Sequence, residues 1–261
     1  MELPETLLYE VKDHVAIITL NRADRYNSIS PEMRTGIRTA FNQANTDDDV
    51  WVIIFQAMGE KAFCAGADLG SSVANLTTTP ETQLREFVPD ATKRHFSDVY
   101  KPIIAAINGI CTAGGLEMML GTDIRIASPN ARFGLGEVRW GIVPLGGSHI
   151  RLPRQVPWAV AMEILMTGDM IDAERAREVG LVNRVVPLES LHEEAFKLAR
   201  RLCQNGPLAM RTAKECAVRG LDLEQRFSQD FYIAGRVFFS EDAKEGPKAF
   251  KEKRQPDFKN R

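Results

Sequence analysis

The chain has 261 residues, 44% of them hydrophobic and 26% charged, with a formal net charge of -2. A chain of this length buries roughly three quarters of its unfolded surface, enough for one large α/β domain or a domain with a small appendage. So slight a charge gives no global electrostatic reason to bind nucleic acid or an anionic membrane. No stretch approaches about 18 uninterrupted apolar residues, which argues against a membrane-spanning helix. The cysteines Cys64, Cys111, Cys203 and Cys216 form no C-x-x-C pair. Cys64 and Cys111 stand among apolar or small residues and read as buried free thiols, which fits a reducing cytoplasm. Met1 to Glu5 show neither an apolar signal core nor an Arg-rich transit pattern.

In chain order, Val15 to Leu20 is a continuous apolar, β-branched run and reads as a buried strand. Ser30 and Pro31 supply an N-cap and a first helical position, and Met33, Ile37 and Phe41 follow at helical spacing. Val50 to Phe55 and Ile103 to Ile107 read as further buried strands, and Asp123 to Ala127 as a fourth. Strands separated by helices imply an α/β layered fold with crossover connections. Between them, Ser71, Ser72 and Thr77 to Thr79 are loop-like and Glu81 to Tyr100 reads as helix, a candidate for a variable wall over a site. From Pro157 the pattern turns helical, with helices expected over 157–167, 172–179, 188–203, 207–219 and 222–252. Gly168, Gly180, Gly206 and Gly220 punctuate them, and a short strand is expected at Leu181 to Val186. A helix-rich tail after an α/β core packs on the core or on another subunit.

Two glycine-bearing segments carry the chemistry. Ala62-Phe63-Cys64-Ala65-Gly66-Ala67-Asp68 follows the apolar run Trp51 to Ala57, and Ala113-Gly114-Gly115-Leu116-Glu117 follows Pro102 to Ile107. Each reads as opening a helix or helical turn, where backbone N–H groups lack internal partners and the helix dipole adds positive charge. N–H groups converging from two such loops would make an oxyanion hole. Alone, either loop reads equally as a tight turn that lets backbones pack closely. Glu117 enters an apolar helix, where a carboxylate is costly to bury unless paired or used; its plainer role is a charge favouring the helix N-terminus. Glu137, in Phe133-Gly134-Leu135-Gly136-Glu137, reads either as a site acid approached closely by substrate or as a surface acid in a loop. Facing one pocket, the two would repel, raising at least one pKa and holding an acid and a base near neutral pH.

His14, His95, His149 and His192 are scattered without metal-ligand spacing, so no metal site is expected. No G-x-S-x-G elbow, P-loop or dinucleotide fingerprint occurs. Phe231-Tyr232 and Phe238-Phe239 read as helical core or interface. Lys244, Lys248, Lys251, Lys253 and Arg254 read as a solvated basic face or a phosphate holder.

Taken together these residues resemble the enoyl-CoA hydratase/isomerase (crotonase) family over nearly the whole chain. The resemblance runs through Leu20-Asn21-Arg22 and Tyr26-Asn27-Ser28, then Ala62 to Leu69, Asn108-Gly109 and Gly114 to Glu117. It continues through Asp123, Phe133-Gly134, Glu137, Gly141 to Pro144, Arg151-Leu152-Pro153, Thr167-Gly168, Ala176, Gly180-Leu181-Val182 and Val185-Val186-Pro187. The tail from Ser240 to Gly246, with Phe250, Lys253 and Arg254, also looks like family members.

The resemblance implies an α/β fold, a crotonase-like spiral of ββα units over residues 1–195, with a helical C-terminal trimerisation region over 196–261. It implies homotrimers or dimers of trimers, and an acyl-CoA thioester as substrate with no cofactor beyond the CoA that the substrate carries. The N–H groups of Ala67 and Gly114 would form the oxyanion hole. CoA would run past Arg25 to Asn27 and past Ala65, Gly66, Ala67 and Asp68, with Phe250 and Lys253 near its adenine and phosphate end. Glutamates at both 117 and 137 favour addition or removal of water: Glu117 would activate water for attack at Cβ, and Glu137 would supply the Cα proton. The alternatives are another isomerase or lyase of the family, such as a carnitinyl-CoA dehydratase-like or enoyl-CoA delta-isomerase member, and a non-catalytic acyl-CoA binder. Gly136 stands where hydratases carry proline, Leu145 to Ile150 replace their Gly-Ala-Gly-Gly-Thr-Gln-like run, and Arg139-Trp140 replace an aliphatic pair. These departures point to a reshaped acyl pocket rather than a generic short-chain one, and the Glu117/Glu137 pair with the tail also looks like carnitinyl-CoA dehydratase-type members, which allows a substituted acyl group.

Overall fold

The computed structural model describes residues 3–68, 88 and 90–259. Two sheets organise the first two thirds of the chain. The larger holds six strands in the order β1 (Leu7–Lys12), β2 (Val15–Leu20), β3 (Val52–Ala57), β5 (Ile103–Ile107), β7 (Ile124–Ala127) and β10 (Arg184–Val185). Apart from the antiparallel β1–β2 hairpin, every neighbouring pair in it is parallel. Parallel strands are covered on both faces, so they read as continuous apolar runs; Ile103–Ile107 is buried at every position. This is why β2, β5 and β7 are legible from hydrophobicity alone.

The smaller sheet holds β4 (Ala62–Cys64), β6 (Ile110–Thr112), β8 (Arg132–Gly134) and β9 (Ile171–Asp172). β4, β6 and β8 are parallel and only β9 runs the other way. The strand preceding each glycine segment is therefore not the long apolar run but a three-residue strand of this second sheet. Runs that short carry no periodicity from which to read them.

Helix α1 (Pro31–Thr46) starts as expected, with Ser30 Oγ accepting from Met33 N at 3.2 Å and Met33, Ile37 and Phe41 buried. Helix α2 (Gly114–Leu120) carries Glu117. Helix α3 (Ser148–Gln155) has no counterpart in the sequence reading; Pro153 sits inside it, and only Ser148, Arg151 and Leu152 of its residues are buried. Then come α4 (Trp158–Thr167), α5 (Ala173–Glu178), α6 (Leu191–Leu202) and α7 (Pro207–Arg219). Helix α6 runs across residue 195, and its Leu191, Ala195 and Ala199 pack into the same core as Val52, Ile104 and Ile126. The long helix expected over 222–252 is instead two, α8 (Leu223–Gly235) and α9 (Glu241–Lys251), separated by a 3₁₀ turn at Arg236–Phe239. Ser240 caps α9 by accepting from Ala243 N at 3.0 Å. The expected strand at 181–186 shrinks to Arg184–Val185.

The expected loop at Ser71, Ser72 and Thr77 to Thr79 lies outside the described residues, as does most of the first part of the helix expected from Glu81. From 90 to 100 the chain runs in turns rather than helix. Arg94 draws those turns together by donating to the carbonyl oxygens of Ala91 and Lys93 at 3.0 and 2.7 Å. No helix of the described residues is long and apolar enough to cross a membrane.

Candidate active site

β4, β6 and β8 are adjacent and parallel, so their C-terminal ends share one edge of the small sheet, the position where open α/β sheets place ligands. From that edge leave the three segments of interest: Ala65 to Asp68 after β4, Ala113 to Glu117 after β6, and Leu135 to Trp140 after β8. They are stitched together. Gly134 O accepts from Ala113 N at 3.1 Å and from Thr112 Oγ1 at 2.9 Å.

The first glycine segment is also fastened to the chain ahead of α1. Ile29 and Ala67 form a parallel bridge, with Ile29 N donating to Gly66 O at 2.8 Å and Asp68 N to Ile29 O at 3.1 Å. Arg22 forms an ion pair with Asp68 at 2.9 Å. Asn27 is fully buried: its Oδ1 accepts from Arg22 N at 2.8 Å, and its Nδ2 donates to Met58 O and Ala62 O at 3.0 and 2.9 Å. The Asn27 side chain is thus spent on holding the loop, leaving only main chain at this position for a ligand. Arg25 is exposed on the 3₁₀ turn Ala23–Arg25, beside Asp24.

Gly66 has φ +89, and a Cβ there would stand 2.7 Å from Ala113 Cβ and 3.2 Å from Gly114 N. Only glycine allows the two loops this close. From the other side, a Cβ on Gly114 would stand 3.7 Å from Ala67 N. Ala113 adopts φ 51 and ψ -129, a conformation costing a non-glycine residue on the order of 1–3 kcal/mol, a kind of strain concentrated at functional sites. Among the described residues neither Ala67 N–H nor Gly114 N–H has an internal acceptor. Two amides so disposed are the donors that a developing oxyanion requires.

The carboxyls differ sharply. Glu117 is 6% exposed, and its Oε1 accepts from Gly146 N at 2.6 Å and Ser148 Oγ at 3.1 Å. Gly146 keeps this space open: a Cβ would stand 2.6 Å from Glu117 Oε2 and 2.7 Å from His95 Nε2, so any other residue would displace those side chains. Burial raises the Glu117 pKa, opposed by the Gly146 and Ser148 hydrogen bonds and by the charge of His149. Glu137 lies in the 3₁₀ turn Gly136–Trp140, half-buried, with Oε2 enclosed and lacking any partner among the described residues. Burial first, and then the charge of Glu117, push its pKa up to about 8. Of the two, Glu117 has the donors that stabilise a carboxylate and Glu137 has the orphan oxygen that suits a proton.

Several participants escape sequence reading. Ser148 reaches Glu117 from the first position of α3, a helix the apolar pattern does not announce, and Gly146 from the turn just before it; the one available signal is the run Gly146-Gly147-Ser148, small residues opening a helix as in the second glycine loop. His95 and His149, scattered in sequence, both belong to this neighbourhood. Burial, with the charges of Arg151, Arg94 and Arg34, lowers the His95 pKa to about 3 and keeps the ring neutral. Among the described residues no three His, Cys, Asp or Glu side chains gather to hold a metal ion. Phe250, on α9, stacks edge-on against Trp140 at 4.7 Å, so its described partner is the Glu137 segment rather than a glycine loop. Lys253 is exposed just past α9. The basic tail is partly neutralised, since Arg254 pairs with Glu245 at 2.5 Å and with Glu252 at 2.7 Å.

Two amides without described acceptors and two unequal carboxyls, one buried and one half-buried, thus belong to segments leaving one edge of a small parallel sheet. The chain belongs to the enoyl-CoA hydratase/isomerase family, whose model matches residues 10–261. It is 41% identical over 260 residues to an (E)-benzylidenesuccinyl-CoA hydratase of Thauera aromatica, covering 98% of this chain and 99% of that one. A crotonyl-CoA hydratase of Syntrophomonas wolfei is 36% identical, covering 97% of this chain and 98% of the relative. Among solved structures, a carnitinyl-CoA hydratase from Mycobacterium avium superposes with a TM-score of 0.86 at 36% identity, covering 99% and 100% of the two chains. The crotonase-like α/β fold expected from the sequence is thus the fold of the chain.

Proposed function

We infer that the protein is an enoyl-CoA hydratase, adding water reversibly across the double bond of a 2-enoyl-CoA thioester. The observation that carries this reading is the inequality of the two carboxyls: Glu117 is held by donors, while Glu137 has an unpartnered buried oxygen. The thioester oxygen accepts from Ala67 N–H and Gly114 N–H, which bind the negative charge that grows there only as bonds change. Glu117 takes a proton from water as the water oxygen bonds to Cβ; the π electrons move toward the thioester, and Glu137 delivers its proton to Cα. Glu117 ends protonated and Glu137 ionised, and transfer of one proton between them restores the starting state.

CoA lies along Arg25, the main chain at Asn27, and Ala65 to Asp68, with Phe250 and Lys253 toward its adenine and phosphate end. The reaction needs no cofactor, CoA being part of the substrate. We also propose a homotrimer or dimer of trimers built through residues 196–261, and a cytoplasmic setting, which the free cysteines support. An acyl group with a bulky or aromatic substituent is a second reading of the substrate. Leu145, 3% exposed, belongs to a cluster with Phe231 and Phe238 against which Ala67 packs, and the Thauera relative is named for an aromatic acyl group.

The test is incubation with a panel of 2-enoyl-CoA thioesters, straight-chain, branched and aryl-substituted, following loss of enoyl absorbance. Hydration of at least one is expected; a panel wholly untouched sinks the reading.

A further inference from the structure

The C-terminal arm reaches the carboxyl pair through a side-chain contact that the reaction scheme leaves unused. Helix α3 packs against both α2, which carries Glu117, and α8 of the arm. Its first residue, Ser148, donates to Glu117. Its second, His149, turns toward α8, where Nδ1 meets Asp230 Oδ1 at 2.7 Å. A carboxylate only accepts, so Nδ1 carries the proton and the free ring nitrogen is Nε2. Asp230 is 7% exposed, and its Oδ2 has no partner among the described residues. A buried acid is expensive unless compensated, and among the described side chains its one hydrogen-bond partner is His149.

We propose that Asp230 and His149 form a positioning pair for Glu117, in which Asp230 holds a protonated imidazole beside the carboxylate that must accept a proton from water. The proposal rests on the hydratase reading only for why that proton matters. Without such a charge, desolvation presses Glu117 to keep a proton and so fail as a base. His149 feels burial most, which favours the neutral ring. The hydrogen bond and charge of Asp230, together with the charge of Glu117, outweigh it and raise the His149 pKa above its usual value.

The other basic groups facing Glu117 do not titrate with it. Arg94 is committed to carbonyls, its Nε to Leu145 O at 2.7 Å and its Nη2 to Phe227 O at 3.2 Å. Arg151 donates to His95 O at 2.8 Å. Both remain cations across the working range, and His95 remains neutral. His149 is therefore the adjustable cation, and Asp230 is what adjusts it.

Carbon-13 labelling of the glutamate carboxyls gives a direct readout, with the Glu117 resonance identified by its loss in Glu117→Gln. In the intact protein, His149→Gln and Asp230→Asn should each raise the Glu117 titration midpoint by about one pH unit. The double variant should go no further than either alone, and His149→Arg, which keeps a positive charge, should restore the wild-type midpoint. The acidic limb of kcat/KM should move in step, with KM for the thioester unchanged. An unmoved Glu117 midpoint in folded His149→Gln and Asp230→Asn overturns the proposal. So does an equal midpoint in His149→Gln and His149→Arg, which would mark the pair as purely structural. Because the resonance reports on Glu117 whether or not any thioester is hydrated, failure of the hydratase reading stays distinguishable from failure of this one.

Discussion

Glu117 and Glu137 are the same chemical group placed in two different regions. One stands on a helix, inside a bracket of donors supplied by the first residue of α3 and the turn before it. The other hangs from a 3₁₀ turn, with one oxygen enclosed and unanswered. The difference teaches how one residue type can be given two roles: in the proposed scheme the carboxyl supplied with N–H and O–H donors serves as the base, and the one without them as the acid.

The strongest way to break that comparison is to make each carboxyl an amide. Glu117→Gln removes the proton acceptor and should lower kcat by about 10³-fold, whereas Glu137→Gln should lower it by about 10²-fold, both with KM nearly unchanged in steady-state assays. Normal turnover in either variant removes that residue from the chemistry.

The pH profile sharpens the assignment. In the proposed scheme Glu137 works protonated, and its pKa is pushed up to about 8, so kcat/KM should fall about tenfold per unit as pH rises beyond that value. The same shift bears on stability. A carboxyl whose folded pKa is raised loses stability as pH climbs from the unfolded value through the folded one. Glu137→Gln should therefore gain in Tm relative to wild type at pH 9 but not at acidic pH. An alkaline limb that survives unchanged in Glu137→Gln would assign it to another group.

The smallest effect tests the bracket itself. Ser148→Ala removes one of Glu117's donors, and hydrogen bonds to charged groups are worth about 1.5–3 kcal/mol. We expect a loss of about tenfold in kcat, with the acidic limb moved upward. A variant indistinguishable from wild type would leave Gly146 N–H as the donor that matters.

Much of this was readable in the chain, and the boundary has a physical cause. The long parallel strands announce themselves because both faces are buried, and α1 because Ser30, Pro31 and a 3.6-residue apolar stripe agree. Glu117 and Glu137 stand out as acids beside paired glycines. The small sheet stayed hidden because three-residue strands have no period, and with it the fact that all three site segments leave one edge. Helix α3 was missed because Pro153 lies within it and its exposed face outweighs its buried one. Asn27 reads as a ligand contact, yet its amide is consumed by the main chain of Arg22, Met58 and Ala62, the last two some 31 and 35 positions away, which no local pattern reveals. His149 and Asp230 lie 81 positions apart and meet only because α8 folds back onto α3.

The 3₁₀ turn that carries Glu137 has a consequence for how such a protein changes over time. Five residues wound as Gly136–Trp140 have few internal hydrogen bonds to lose, so an exchange beside Glu137 disturbs less regular structure than one beside Glu117. Shifting Glu117 would dismantle a helix start, a strained Ala113 and the Gly146 contact at once. Descendants that acquire a new reaction should therefore rewrite the turn and inherit the helix.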